Sequence, residues 1–261
     1  MQFTDALGNT FNPIPKTELR IVSLVPSQTE LLIDLGLEEQ LVGITKFCVH
    51  PVDLRQRKEV VGGTKQLHKD KVAALNPTLI LCNKEENTKE IVEDLQEIAP
   101  VWVTDIFTLD DALQTILDLG EFLDVVPIAT KLVEEIQNEA DSFAEFMKGK
   151  SEREVLYFIW KNPYMAVGKN TFVNDILERN NMINVLPEGS RYPEVSPEST
   201  VKPELLLLSS EPYPFAEKHQ KQIEKEWGIP AMLVDGEYFS WYGSRLRNAF
   251  TYFKSLHKKS D

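Results

Sequence analysis

The sequence predicts an α/β protein of two lobes, each with a mostly parallel sheet, joined by a single long helix. Short apolar runs alternate with helical patterns in both halves of the chain, which is typical of parallel strands with crossover helices. Between the halves, an apolar pattern of helical period extends for about 20 residues, or roughly 30 Å of helix. We therefore place the lobes at residues 1–124 and 150–261 and the connecting helix at 125–149.

In the first lobe, apolar runs and helix breakers mark each element in turn. A buried strand is predicted at 20–26, and Ser27 with Glu30 three residues on predicts a capping box that opens a helix ending at Gly36. The further elements predicted there are strands or turns at 41–45, 60–63, 79–82 and 101–104 and helices at 87–98 and 109–123.

The second lobe repeats this alternation after a long helix over 127–147, where Pro127 suits the first helical turn. We predict strands at 155–160, 205–208 and 231–234 and helices at 171–179, 220–227 and 244–256. A short internal repeat supports two related lobes, because Asn76-Pro77-Thr78-Leu79-Ile80-Leu81 matches Lys202-Pro203-Glu204-Leu205-Leu206-Leu207. An acidic residue precedes each copy, Asp70 in one and Glu198 in the other.

Charge and composition exclude several classes of protein. The chain has 28 Lys and Arg against 41 Asp and Glu, a formal charge of −13, which argues against nucleic-acid binding. No apolar run reaches the length of a membrane span. The N-terminal residues lack the pattern of a signal peptide, so free, buried thiols are expected at Cys48 and Cys82.

A set of basic, aromatic and polar residues follows the predicted strands. Ligands of parallel sheets bind beyond the carboxyl ends of the strands, so these residues predict a cleft for a flat or anionic small molecule. The alternative is that each aromatic ring belongs to a core and each cation is merely solvated. The predicted ligand-binding residues are Lys46, Phe47, His50, Asn83, Lys84, Trp160, Tyr164, Arg191, Tyr192, Tyr238, Trp241 and Arg245.

Motifs of other chemistry are missing from the sequence. It contains no dinucleotide-binding, phosphate-loop or hydrolase-elbow motif. The four histidines form no close pair of metal-ligand spacing, so we expect no metal site and no cofactor.

Several stretches together resemble the substrate-binding proteins of ABC importers for vitamin B12, ferric siderophores or haem. The resemblance is carried by residues 20–31, 41–45 with His50-Pro51, 72–80, 193–198 and 240–245, and it covers nearly the whole chain after about residue 18. It implies two α/β lobes with a rigid backbone helix, a ligand between the lobes and no enzymatic activity.

The resemblance also implies roles for individual residues. Asp70 and Glu198 stand where the family has the acidic residues that dock onto an importer permease, although the family usually has Glu at both places. The pocket positions of the vitamin B12 receptor fall on Phe47, Thr64, Asn83, Tyr192 and 238–241, and Thr64 and Asn83 depart from the aromatic residues usual there. Positive charge on Lys46, Lys84, Lys161, Arg191 and Arg245 favours an acidic ligand such as a ferric chelate.

Three hypotheses of function follow. The first is a non-enzymatic binding protein that holds an iron chelate, a corrinoid or a tetrapyrrole. The second is a cytoplasmic enzyme that acts on such a ligand in the same cleft, with His50 and Glu194 as candidates for proton transfer. The third is a dimer that uses the second lobe as an interaction face. The resemblance implies a periplasmic location, whereas the N-terminal sequence leaves the cytoplasm as the alternative.

Overall fold

Two separate sheets of mainly parallel strands form the framework of the chain. The computed structural model describes residues 2–198 and 202–258. One unit comprises the residues up to Ile106, Asp110–Ile136 and Tyr242–Arg245; the other comprises Phe107–Leu109, Gln137–Trp241 and the residues from Leu246 onward. Each unit carries its own sheet and helices, which confirms the predicted α/β class.

The bounds of the elements are as follows. The strands are β1 Phe3–Thr4, β2 Thr10–Phe11, β3 Ile21–Ser23, β4 Leu41–Ile44, β5 Glu59–Val60, β6 Leu79–Asn83, β7 Val101–Thr104, β8 Arg153–Trp160, β9 Met165–Ala166, β10 Met182–Asn184, β11 Leu205–Ser209 and β12 Ala231–Val234. The helices are α1 Pro26–Asp34, α2 Leu54–Arg57, α3 Lys69–Ala74, α4 Lys89–Gln96, α5 Leu109–Phe122, α6 Val126–Met147, α7 Phe172–Arg179, α8 Glu217–Trp227, α9 Gly236–Ser240 and α10 Leu246–Lys258.

The first sheet has the strand order β5-β4-β3-β6-β7, and neighbouring strands run parallel. Its outer strand β7 does not present a bare edge. Ala6 donates its N–H to the Val103 carbonyl at 3.0 Å, and the Asp5 carboxylate accepts the Val103 N–H at 3.1 Å. The short hairpin β1–β2 places these residues there, and Phe11 on β2 packs against Trp102. The hairpin therefore protects the edge of the sheet from further pairing.

The second sheet has the order β10-β8-β11-β12, again parallel, and β9 pairs antiparallel with β8. Its central strand β11 is buried along its whole length and has four consecutive leucines before Ser209, as expected for a strand covered on both faces. Phe158 on β8 packs against Trp227 at the end of α8, with 5.1 Å between ring centroids. The core of this unit is thus built from β8, β11 and α8.

The two sheets share a common plan, in agreement with the internal sequence repeat. Strands β6 and β11, which carry the repeat, both lie third in an order of four parallel strands, β4-β3-β6-β7 and β10-β8-β11-β12. Equivalent backbone bonds recur as well, because Ile80 donates to the Pro100 carbonyl and Leu206 to the Pro230 carbonyl, both at 2.9 Å. Within the described ranges of the chain, each sheet has one further strand outside this plan: β5 pairs parallel with β4 in the first, and β9 pairs antiparallel with β8 in the second.

The long helix predicted between the halves is α6, with Pro127 in its first turn as expected. Residues up to Ile136 belong to the first unit and those from Gln137 to the second. No helix in the described parts of the chain is both long and apolar enough to cross a membrane. Cys48 and Cys82 are free and buried, as predicted.

The predicted capping box at Ser27 and Glu30 is wrong. Helix α1 begins two residues earlier, at Pro26, and its N-cap is Val25, whose side chain makes no capping bond. Proline fits the first helical position because its missing N–H needs no partner there. The Glu30 carboxylate instead binds Arg245.

Some boundaries and short elements also differ from the prediction. Helix α10 begins at Leu246 rather than at residue 244, because Tyr242–Arg245 packs with the first unit instead of continuing the helix. Strands β1, β2, β9 and β10 and helices α2 and α9 were not predicted. Each has only two to five residues, too few for a hydrophobic period to be recognised.

Candidate ligand-binding site

Three predicted ligand-binding residues of the first unit lie in the loop after β4. The Phe47 ring is 49% exposed, and the Lys46 ammonium lies 5.0 Å from the centre of that ring. Gly63 lies beneath both side chains, since a Cβ at this position would come within 3.2 Å of Phe47 Cε2 and 3.4 Å of Lys46 Cε. The structure thus brings an exposed aromatic face and a cation together at the end of β4. His50, farther along the loop, is half-buried and interacts electrostatically with Glu30.

A buried polar network underlies the carboxyl ends of β6 and β7. Asn83 donates its amide to the Thr104 side-chain oxygen at 3.0 Å and to the Thr104 carbonyl at 3.2 Å. The Asn83 amide oxygen accepts the Glu85 N–H at 2.9 Å, and Gln28 of α1 also donates to Thr104 Oγ1. Because Asn83 is 1% exposed and its amide is engaged on both sides, its contacts favour a structural role over a ligand contact.

Two of the predicted cations are paired with carboxylates inside the first unit. Lys84 Nζ lies 2.9 Å from Asp105 Oδ2, just beyond β7. Arg245 binds Glu30 through two hydrogen bonds, Nη2 to Oε1 at 2.7 Å and Nε to Oε2 at 2.9 Å. These pairs reduce the positive charge that either cation offers to a ligand.

Glu30 itself is an unusual carboxylate. Its burial raises the pKa above the ordinary value, and the effect of burial exceeds the opposing attraction of the Arg245 guanidinium and the weaker effect of His50. Removing one partner of a partly buried ion pair lowers the stability of the folded protein, because the remaining charge stays poorly solvated. Glu30 and Arg245 therefore fix the position of the 242–245 segment on α1.

In the second unit, Trp160 at the end of β8 has an exposed aromatic ring. Its indole is 42% exposed and meets Tyr213 edge to face, with 5.7 Å between centroids. The Tyr213 N–H donates to the Ile159 carbonyl at 3.2 Å, which holds the loop after β11 against β8. The next residue, Lys161, donates to Gln222 Oε1 at 2.7 Å. An exposed ring with a lysine next in sequence thus occurs at the carboxyl end of this sheet as well.

Other predicted aromatic residues of the second unit are packed within the protein. Tyr164 donates its hydroxyl to Glu226 Oε2 at 2.8 Å, and burial followed by this carboxylate raises the pKa of Tyr164. Tyr238 stacks on Tyr252 at 4.7 Å with an interplanar angle of 19°. Trp241, directly after α9, is only 7% exposed. These contacts support the core interpretation for the three rings more than a ligand-facing one.

The loop after β10 holds the remaining two candidates. The Arg191 guanidinium lies over the Phe107 ring, 4.9 Å from its centre, a cation–π geometry that holds the arginine beside the ring. Tyr192 is half-buried in the same loop.

The two predicted docking carboxylates are both exposed. Asp70 lies in the first turn of α3, and Glu198 lies in a turn of the second unit. The Ser196 side chain and the backbone of Glu198 hydrogen-bond its carboxylate, which lowers its pKa and keeps it ionised. Both residues have the accessibility that a docking contact requires.

Sequence reasoning missed Glu30, Asp105, Phe107 and Tyr213 as partners of the candidate residues. Asp105 directly follows β7, so the strand-end rule that selected Lys84 was sufficient to find it. Glu30 is 215 positions from Arg245, and no local pattern connects them. Within the described residues, no three His, Cys, Asp or Glu side chains are placed to hold a metal ion.

Several known proteins are similar to this chain in sequence or fold. The family described as periplasmic binding protein matches residues 21–226. A vitamin B12-binding protein of Pectobacterium carotovorum is 24% identical over 233 residues, covering 87% of this chain and 84% of the relative. A periplasmic haem-binding protein from Roseiflexus has a TM-score of 0.79 at 20% identity, covering 93% of this chain and 98% of its own. The vitamin B12-binding protein of Vibrio cholerae has a TM-score of 0.79 at 17% identity, covering 92% and 97%.

Proposed function

Because the chain belongs to the periplasmic binding protein family, we propose that it binds a metal chelate for an ABC importer. The ligand is an iron chelate, a corrinoid or a tetrapyrrole, and groups at the carboxyl ends of both sheets bind it. The observation that supports this most is the exposed ring beyond a strand end of each unit, Phe47 with the Lys46 ammonium near its face and Trp160 with Lys161 next in sequence. Exposed rings suit the flat or apolar face of a chelate, and the lysines suit its carboxylates.

The charges of the site refine the ligand class. Five cations were predicted to favour an acidic ligand, but Lys84 and Arg245 are paired with Asp105 and Glu30. Positive charge for a ligand then comes from Lys46, which lies over the Phe47 ring, and from Lys161, which binds the neutral Gln222 side chain. So few available cations suit a ligand with one to three carboxylates better than a highly charged anion.

A titration with a panel of chelates tests the proposal. Cyanocobalamin, haemin and ferrichrome are titrated into the purified chain, with protein fluorescence and the visible spectrum as readouts. We expect saturable binding of one of them at one per chain with a Kd below about 10 µM, that is, about −7 kcal/mol. Absence of binding by all three at 100 µM ligand, roughly ten times that Kd, would overturn the proposed ligand class.

We propose that Asp70 and Glu198 bind basic residues of the importer's permease. Related proteins include a vitamin B12-binding protein and a substrate-binding lipoprotein of an ABC transporter, which supports an importer as partner. Both carboxylates are exposed. With the cognate importer reconstituted from the natural host, Asp70→Lys and Glu198→Lys should each reduce ATPase stimulation by the loaded protein. Glu134→Lys on α6 is the matched control, since it changes another exposed carboxylate elsewhere. Equal stimulation by all three variants would contradict the docking role.

Family membership supports a location outside the cytoplasmic membrane, and we propose that the mature protein is periplasmic or held at the outer face of that membrane. Fractionation of the natural host tests this. Recovery of the protein with cytoplasmic markers alone would favour the cytoplasmic alternative.

We propose binding without catalysis, because the family comprises substrate-binding proteins and the enzyme alternative gains no support from the site. His50 is half-buried beside the Glu30–Arg245 pair, and Glu194 is exposed on the second unit. A ligand incubated with the protein should be recovered chemically unchanged. Chemical conversion of the ligand that is lost in His50→Ala, while the variant still binds the ligand, would instead support the enzyme alternative.

A further inference from the structure

The second sheet has an open edge where the first sheet has another strand. In the first unit, β5 pairs with the outer side of β4 through Gly43 with Glu59 and Ile44 with Val60. The counterpart of β4 in the second unit is β10, which pairs with β8. Among the described residues, no strand pairs with the other side of β10.

The backbone of β10 presents hydrogen-bonding groups toward that open side. Arg153 donates its N–H to the Asn181 carbonyl at 2.9 Å, and Val185 donates to the Val155 carbonyl at 3.1 Å. Successive residues of a strand direct their polar groups to opposite sides. Met182 and Asn184 therefore direct their N–H and C=O groups away from β8. These are the groups that an additional strand requires.

A groove accompanies this edge. It has a volume of about 300 Å³ and is lined by Met182, Ile183 and Asn184 of β10 and by Glu178 of α7, among others. Asn184 and Asn174 hold the wall in place, because Asn184 donates to Asn174 Oδ1 at 3.1 Å and Asn174 donates to Glu178 Oε1 at 2.8 Å. The Ile183 side chain is 43% exposed and provides an apolar contact on the face of the strand.

The rim of the groove is acidic. Glu152, Glu178 and Glu188 line it against one cation, Lys169. A second copy of this chain carries a formal charge of −13, so like charge disfavours it as the occupant. A basic segment with alternating apolar residues complements both the carboxylates and Ile183.

We propose that the β10 edge binds an extended, basic segment of another protein as an additional strand, in the position that β5 fills in the first unit. Backbone hydrogen bonds to Met182 and Asn184 supply the pairing, and the three glutamates select a basic sequence. The surface is separate from the strand ends assigned to the chelate, so its test is independent of the proposed function.

A synthetic hexapeptide of alternating lysine and valine, capped at both ends, serves as the probe. Titrated into the full, isotopically labelled chain, it should shift the backbone amide signals of Met182 and Asn184. The same peptide with N-methyl groups on alternate residues keeps its charge but loses donors on one side. It should bind at least about tenfold more weakly, because each lost backbone bond contributes roughly 1 kcal/mol.

A double variant with a matched control tests the acidic rim. Glu152→Lys combined with Glu188→Lys changes exposed residues only and should weaken the hexapeptide about fivefold or more, whereas the Glu134→Lys control should not. Equal binding of the two peptides would show attraction by net charge alone and overturn the proposal. Shifts confined to other surfaces, or no binding at millimolar peptide, would overturn it as well.

Discussion

Arg245 and Glu30, 215 residues apart in sequence, are joined by two hydrogen bonds of 2.7 and 2.9 Å. The pair secures the Tyr242–Arg245 segment to α1 in the first unit, although the residues on either side of that segment belong to the second. Gly243 reinforces this contact. Its φ of +138° suits glycine, and a Cβ there would come within 3.3 Å of the Ser27 carbonyl oxygen.

Removing the arginine should therefore destabilise the protein. In Arg245→Ala, Glu30 remains poorly solvated without its partner, and we expect the free energy of unfolding to fall by about 2–3 kcal/mol, somewhat less than for a fully buried pair. Urea unfolding followed by circular dichroism measures this. The control is Lys131→Ala on α6, whose exposed pair with Glu135 should contribute less than about 0.5 kcal/mol. Equal losses in both variants would contradict the structural role of Arg245.

Glu30 should also make stability depend on pH. Its pKa in the folded state lies above the ordinary value of 4.5, so the folded state holds the proton more tightly than the unfolded state. Its contribution to stability is therefore greatest at low pH and declines as the pH rises from 4.5 through the folded pKa. Unfolding measured from pH 4.5 to 6.5 should show wild-type stability falling relative to Glu30→Gln. If wild-type stability instead rises relative to Glu30→Gln as the pH rises, the attraction of Arg245 outweighs the effect of burial on Glu30.

A substitution of Asn83 distinguishes a structural role of this residue from a ligand-binding role. In Asn83→Ala, the buried Thr104 hydroxyl and the Glu85 N–H lose a partner, which should cost about 2 kcal/mol of unfolding free energy. Chelate affinity of the folded protein should change less than about threefold, since the Asn83 amide is already engaged. Calorimetry gives both quantities. A large loss of affinity with unchanged stability would place Asn83 in the ligand site.

The two thiols should be unreactive in the native protein. Burial raises the pKa of Cys82 to about 12 and raises that of Cys48, whose sulfur contacts the Thr29 and Thr45 hydroxyls at 3.1 and 3.3 Å. Since the thiolate is the reactive form, a thiol reagent at pH 8 should label neither cysteine within minutes and both after denaturation. Rapid labelling of one cysteine in the native state would show that it is accessible.

Much of the fold is predictable from sequence because long elements carry their own signal. Helix α6 has one apolar stripe with proline in its first turn, and the strand predicted over 205–208 is an unbroken apolar run. The internal repeat pointed to related units because Ile80 and Leu206 lie in equivalent strands. Short elements such as β10 escaped prediction, since three residues define no period and only pairing with β8 makes them a strand.

The candidate site is less predictable because a side chain's partners decide what it offers to a ligand. The strand-end rule located Phe47 and Trp160, which are exposed, but it equally selected Lys84 and Arg245, which carboxylates neutralise. Tyr238 and Trp241 look like ligand-facing rings in sequence, yet one stacks on Tyr252 and the other is buried. Those partners lie on other elements, so local sequence does not reveal them.

Binding of a chelate by wild type and by the double variant Phe47→Ala/Trp160→Ala tests the central claim most directly. One ring comes from each unit, and Val52→Ala, which changes another exposed apolar side chain, is the control. If each ring contributes about 1–1.5 kcal/mol, the double variant should bind the wild-type ligand at least about 30-fold more weakly, while the control binds normally. Unchanged affinity in the double variant would contradict the claim that rings of both units hold the ligand.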